Sequence, residues 1–385
     1  MSKLTSKERA NKALNHEEPD RTPNDFGGTI VSSIHKTAYR ELMDYLKLES
    51  GELEIMDHVQ QLPYLSKGFK DYFEVDFVQL SAKPAADWEL EIEENENSYT
   101  YVDEWGTTMR MPKQGGHYFD YWEFPVTGDM EELEAYDWPD PDDPARTEGL
   151  RGEAERIIEE KDYAICGSPL FGGGILEQAE RIIGLEKFLT LLLKDSRAAE
   201  YILDRLTEIY KRATENFLSK VGDLVDVVLY WDDVGSQNSL LISPDTYREM
   251  IKPRQAELFD TIKTNTDAKV FYHTDGAVRR LIPDLIEIGV DILQPIQVNS
   301  GKMGETKELK KEFGKDIVFW GASCDSQSVL PYGSPEEVRE ETKKRIIDLK
   351  KGGGYVFSPI HNVQPGVPPE NIEAMYETFF EYRDY

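Results

Sequence analysis

The stretch Val270–Gln297, "VFYHTDGAVRRLIPDLIEIGVDILQPIQ", decides the fold. An apolar run, Val270–Tyr272, ends against His273-Thr274-Asp275-Gly276. A helical pattern over 277–288 follows, and a second β-rich run occupies Asp291–Gln294. Within the helical part Val278, Leu281, Ile282, Leu285 and Ile288 keep the three-and-four spacing of one buried face. A strand, a helix and another strand in so short a span are the repeating unit of a parallel sheet.

The same alternation extends in both directions from about residue 160. Strands are predicted at Tyr163–Cys166, Val225–Tyr230, Val270–Tyr272, Asp291–Gln294, Ile317–Trp320 and Tyr355–Phe357, with an earlier one near Thr22–Phe26. Helical patterns cover 176–193, 197–219, 244–264, 277–288 and 335–350. Ser243-Pro244 and Ser334-Pro335 mark two of their starts. This is an α/β chain, and the count approaches the eight strands of a (β/α)8 TIM barrel, in which chemistry sits where strands end and helices begin.

Residues 55–150 break the rhythm. "ELEIEENENSYTYVDEWGTTMRM" alternates polar and apolar residues around Asn95–Asn97, as an antiparallel hairpin does. An aromatic-dense "GGHYFDYWEFP" and a stiff acidic "YDWPDPDDPAR" follow. The expectation is one domain over 1–385, a barrel with an N-terminal region and a β-rich insertion, 55–150, over its mouth. A packed appendage with no ligand role is the competing reading.

Composition narrows the function. The 385 residues carry a formal net charge of −30, which disfavours nucleic acid and anionic membranes as partners. No apolar run is long enough to span a bilayer, and "MSKLTSKERANKAL" lacks the apolar core of a signal peptide. Two cysteines, Cys166 and Cys324, do not make a disulfide framework, so a cytoplasmic location is expected.

Polar, ligand-capable groups follow five strand ends in succession. They are Asp232, Asp233 and Gln237; His273 and Asp275, with Gly276 allowing a tight turn; Gln297; Cys324; and His361 with Asn362. Adjacent carboxylates on a continuing strand point to opposite sides, so only one of Asp232 and Asp233 need face the mouth. Each group also has a plain structural role open to it: Asp275 as a helix cap, Cys324 as a small buried residue, His361 as part of a turn. Together, two histidines, an acid and a thiol on one rim match the ligand types of a zinc-type centre with an open position. "FGGGILEQAERIIG", 171–184, lacks the spacing of known phosphate loops. It does put Glu177 and Gln178 in the first turn of a helix, within reach of the mouth.

"DDVGSQNSLLISPDTYREMIKPR", "HTDG", "IEIGVDILQPIQ", "FWGASCDSQSVLPYGSPEEVREET" and "GGGYVFSPIHNVQPGVPPENIEAMYE" resemble the uroporphyrinogen decarboxylase superfamily, which includes corrinoid-dependent methyltransferases. The resemblance runs from about residue 5 to the end and implies a (β/α)8 barrel. True decarboxylases carry an arginine-rich "RQAGRY"-like segment for a polycarboxylate substrate. The corresponding "RTPNDFGGTIVSSIHKTAYR" has no such cluster, although polyanions call for bidentate arginines. In the methyltransferase branch a His-x-Cys and a later Cys bind zinc. Carried over by motif, His273 keeps the histidine, while Asp275 and His361 stand where the cysteines would be. A harder donor set favours oxygen-bearing substrates over thiols.

The expected function is therefore methyl transfer between a small substrate, methoxylated compounds included, and a cobalamin-binding partner protein. His273, Asp275 and His361 would hold zinc, with Cys324 as an optional fourth ligand. Asp233, His273 and His361 would serve catalysis, and Asp232, Gln237, Gln297, Asn362 and Glu177 would bind substrate. The alternatives are a decarboxylase of a porphyrinogen or another small acid, and a non-catalytic ligand-binding barrel.

Overall fold

The computed structural model describes residues 4–194 and 196–385; Met1–Lys3 of the N-terminal stretch read above lie outside it. Thirteen strands are found among the described residues. A short pair, β1 (Ile55–Asp57) and β2 (Leu62–Pro63), precedes β3 (Phe77–Ser81). Four strands then form the insertion: β4 (Glu93–Glu94), β5 (Ser98–Val102), β6 (Thr108–Pro112) and β7 (Asp120–Glu123). The rest are β8 (Ala164–Ser168), β9 (Val227–Trp231), β10 (Lys269–His273), β11 (Ile292–Gln294), β12 (Val318–Trp320) and β13 (Tyr355–Val356).

Seven strands pair in the order β13-β12-β11-β10-β9-β8-β3, and every pair is parallel. The curled sheet is TIM-barrel-like. Its two edges are linked through the segment expected near Thr22–Phe26: Asp25 N–H donates to the Phe357 carbonyl at 2.8 Å and Asp76 N–H donates to the Asn24 carbonyl at 2.9 Å. This eighth position is filled by isolated pairings rather than a full strand.

Parallel strands covered on both faces read as continuous apolar runs, as β9, β12 and β13 do. Alternate residues divide between two cores. Phe77, Ala164, Cys166, Val227, Leu229, Phe271, Ile292, Val318, Trp320 and Val356 fill the interior, joined by Ala10 and Leu14 of the helix Ser6–Leu14. Ile165, Val228, Tyr230, Val270, Tyr272, Leu293, Phe319 and Tyr355 pack outward in the larger core with the helices. This parity fixes the mouth: with Phe271 inward, His273 is inward, and with Val227 and Leu229 inward, Trp231 and then Asp233 follow.

Several boundaries differ from the sequence reading; the 277–288 pattern, for one, is a 3-10 turn Arg279–Leu281 and a helix Ile282–Glu287. β3 lies inside the 55–150 region that was expected to be all insertion, because Gln79 and Ser81 interrupt its apolar pattern; both face the cavity at the mouth. The helical pattern over 176–193 is two helices, Ile175–Ile183 and Leu185–Lys194, broken at Gly184, whose φ of 99° lies in the left-handed region. The Asn95–Asn97 hairpin forms as expected, with Asn95 Oδ1 accepting the Ser98 amide at 2.9 Å. No helix among the described residues is long and apolar enough to cross a membrane.

Candidate functional site

A cavity of about 480 Å³ opens at the C-terminal ends of the strands. The barrel contributes Gln79, Ser81, Ser168, Trp231, Asp233, His273 and His361. The insertion contributes Trp88, Tyr101, Asp103, Glu104, Trp105, Met109 and Tyr121. The insertion therefore forms part of the cavity wall and is not a remote appendage. A volume of this size suits a small organic ligand.

The rim brings His273, Asp275 and His361 together: one ligand atom from each lies within 4.8 Å of the others. His361 Nε2 is 3.9 Å from Asp275 Oδ2, and the two imidazole centroids are 5.7 Å apart. Ligands at about 2.0–2.1 Å in a tetrahedral set sit roughly 3.3 Å from one another, so a small inward adjustment would complete it. The donor set fits a metal on a second ground. Asp275 Oδ1 is buried without a hydrogen-bond partner, an arrangement that costs stability unless something is bound.

Local chemistry explains the arrangement. His273 ends β10, and its Nδ1 contacts Oε1 of Gln294, the register partner on β11. Gln294 donates its own NH2 to the Ile360 carbonyl at 3.1 Å, so it can only accept from His273. That makes Nδ1 the protonated nitrogen and leaves Nε2 with its lone pair, the usual outer-shell control of a metal-binding histidine. Gly276, at φ 93°, turns the chain where any Cβ would lie 2.6 Å from the Ser236 carbonyl oxygen. Its amide donates to Gln297 Oε1 at 2.6 Å, and the Asp275 amide donates to Asp233 Oδ1 at 2.7 Å. Burial pushes the His361 imidazole below its ordinary pKa, with His273 adding to this and Asp275 opposing it. Burial, then the Asp275 carboxylate, pushes Asp233 up to about 7.

The other expected residues separate into two groups. Glu177 lines the cavity, ion-paired to Arg181 one turn along its helix. Asp232 is fully buried and does not face the cavity. It accepts from the Leu176 and Glu177 amides at 3.1 and 2.8 Å, from Tyr230 Oη at 2.6 Å and from Gln255 Nε2 at 2.8 Å, capping Ile175–Ile183 from outside. Gln297 holds the Gly276 turn. Gln237 is exposed and donates to the Asn299 carbonyl. Asn362 is buried behind the wall, between the Ser33 amide and Gln60. Cys324 stands apart from the trio: it is buried with its Sγ 3.7 Å from Glu341 Oε2, and burial and that carboxylate push its thiol up. Among the described residues, the ligand atoms that converge at the rim are those of His273, Asp275 and His361, and Cys324 is not one of that group. Asp275 caps no helix, because the next helical turn begins at Arg279 with no side-chain cap bond.

Sequence reasoning missed Gln294, Asp57, Asp103 and Arg181. Arg181 was findable, since Glu177-x-x-x-Arg181 is the spacing of a helical ion pair. Asp57 and Asp103 had no signal beyond an acidic insertion.

The uroporphyrinogen decarboxylase (URO-D) family model matches residues 99–382. The chain belongs to that family. Among curated relatives, uroporphyrinogen decarboxylase of Crocosphaera subtropica is 26% identical over 175 residues, covering 42% of this chain and 46% of that protein. The enzyme of the same name from Alkalilimnicola ehrlichii is 39% identical over 46 residues, covering 12% of this chain and 13% of its own. These matches span less than half the length of those family members. A solved methyltransferase from Methanosarcina mazei has the same fold, with a TM-score of 0.65, 19% identity, and 98% and 99% of the two chains covered.

Proposed function

We propose that this family member is a methyltransferase that moves a methyl group between a small oxygen-bearing substrate and a cobalamin carried by a separate protein. His273, Asp275 and His361 would hold a zinc-type metal. The observation that carries the reading is that trio, with Gln294 behind His273 and the orphaned Asp275 oxygen, at the rim of the cavity. A metal held there supplies Lewis-acid polarisation of a substrate oxygen. The chain's own residues do the rest. Asp233 holds a proton near the rim, Glu177 and Arg181 fix the cavity wall, and the insertion's aromatic residues exclude water. The fold shared with the Methanosarcina mazei methyltransferase supports the reading.

Decarboxylation is the second reading, favoured by the names of the curated relatives. The cavity weighs against a polycarboxylate. Its lining includes five carboxylates, Asp57, Asp103, Glu104, Glu177 and Asp233, and one arginine, Arg181, whose Nη2 is held by Glu177. Bound polyanions need free bidentate arginines.

The deciding experiment supplies reduced corrinoid protein with methoxylated substrates, follows methyl–cobalt formation by absorbance, and measures metal in the purified protein. Metal bound through the trio together with methyl transfer is the expected result. Carbon dioxide release from a porphyrinogen with no methyl transfer overturns the proposal.

A further inference from the structure

The end of the cavity built by the insertion has a charge that the metal-binding trio does not explain. Asp57 accepts the Gln60 amide at 2.6 Å, and Asp103 accepts the amides of Trp105 and Thr107 at 2.9 and 2.8 Å. Among the described residues neither is ion-paired to a lysine or arginine within 4.0 Å. Of the nearby cations, Arg146 is engaged elsewhere and Arg181 in part, its Nε being buried without a hydrogen-bond partner. Arg181 pairs with Glu177 and lies over the Tyr121 ring at 5.2 Å. Arg146 pairs with Glu104 at 2.6 Å and lies over Phe171 at 3.6 Å. Burial pushes both carboxyls up, Asp103 to about 6; the amides that they accept and, through space, Arg181 oppose this. Trp88 and Tyr101 stand in the same wall.

A second observation is a donor. Gln178 is 1% exposed, lines the cavity, and has its oxygen held by the Gly173 amide at 2.8 Å, which leaves Nε2 without a partner. Gly172 keeps the space open beside it: a Cβ there would lie 2.5 Å from Gln178 Oε1 and 2.9 Å from Trp105 Nε1.

We infer that the substrate is a small organic cation bearing an acceptor oxygen. An alkylated ammonium head lies against Asp57, Asp103 and the Trp88 and Tyr101 rings, and the oxygen accepts from Gln178. Aromatic faces and unpaired carboxylates are the two environments that favour a poorly hydrated cation over a neutral molecule of the same shape. The inference takes from the proposed function only that this cavity holds the substrate.

The test is calorimetric titration of the full chain with three probes, without corrinoid or added metal. The probes are choline, its uncharged isostere 3,3-dimethyl-1-butanol, and the anion 3,4-dimethoxybenzoate. Choline should bind about 10-fold or more tighter than the isostere, with the anion weakest. Asp103→Asn should remove most of that ratio while leaving the isostere's affinity unchanged. Asp57→Asn provides the same test should the first variant unfold, since Asp103 also shapes its own turn. Equal binding of choline and the isostere, no choline binding at millimolar concentration, or tighter binding of the anion overturns the inference. Cation preference without methyl transfer would sink only the proposed function, and methyl transfer without cation preference only this inference.

Discussion

Replacing Asp232 with alanine separates a structural acid from a cavity-lining one next to it in sequence. The carboxylate is fully buried and accepts from two first-turn amides of Ile175–Ile183, from Tyr230 and from Gln255. Loss of a helix cap costs about 1 kcal/mol, and each further buried donor left unpaired costs about 1–3 kcal/mol. Relief from burying the charge offsets part of this, so the net loss should be about 3–5 kcal/mol. A chain of this length unfolds with an entropy near 0.8 kcal/mol/K, so Tm should fall by about 4–6 °C. Asp232→Asn keeps an acceptor and should fall by less. Asp233→Asn should change Tm by under about 2 °C, because that side chain lines the cavity. Differential scanning calorimetry on the three variants, beside ligand binding, reads this out. If Asp232→Ala melts like wild type yet loses ligand, the assignment of Asp232 to helix capping is wrong.

Burial raises the Asp232 carboxyl to about 6 in the folded chain, against about 3.9 unfolded. The folded state therefore binds the proton more tightly, and its stability contribution is full below pH about 3.9 and lost as pH rises through about 6. The Tm difference between wild type and Asp232→Asn should shift against wild type across that window; a flat difference refutes it. His273→Ala, Asp275→Ala and His361→Ala should each lower bound zinc by elemental analysis with little change in Tm, whereas Cys324→Ser should leave zinc unchanged. Gln294→Leu should weaken zinc about 10–100-fold by competition with a chelator, because His273 loses the acceptor that fixes its tautomer.

The barrel was legible wherever strands are buried on both faces, since β9 and β12 then read as unbroken apolar runs. It became illegible where a strand serves the mouth. β3 alternates apolar residues with Gln79 and Ser81, and that alternation disguised a barrel strand as part of the insertion. The segment near Thr22–Phe26 was placed correctly, yet its edge-to-edge role depends on partners at Phe357 and Asp76, far away in sequence.

The site divides along the same line. A residue at a strand end has its direction set by parity, so His273 and Asp233 could be placed from their neighbours: each is two residues beyond a residue that points inward, Phe271 and Trp231 respectively. Parity also left one of the Asp232-Asp233 pair facing away, and only the helix start beside it shows which. Cys324 has no such rule. It lies four residues past β12 in a loop, and its burial against Glu341 depends on a helix seventeen residues on. The charge of the cavity was least legible of all. Asp57 and Asp103 come from a region read only as acidic cover, and they matter because the fold turns them toward the cavity, where among the described residues neither has an ion-pair partner within 4.0 Å. An acid-rich composition says that a surface repels anions. Enclosing part of that charge with aromatic residues around a cavity converts the same composition into a preference for what enters.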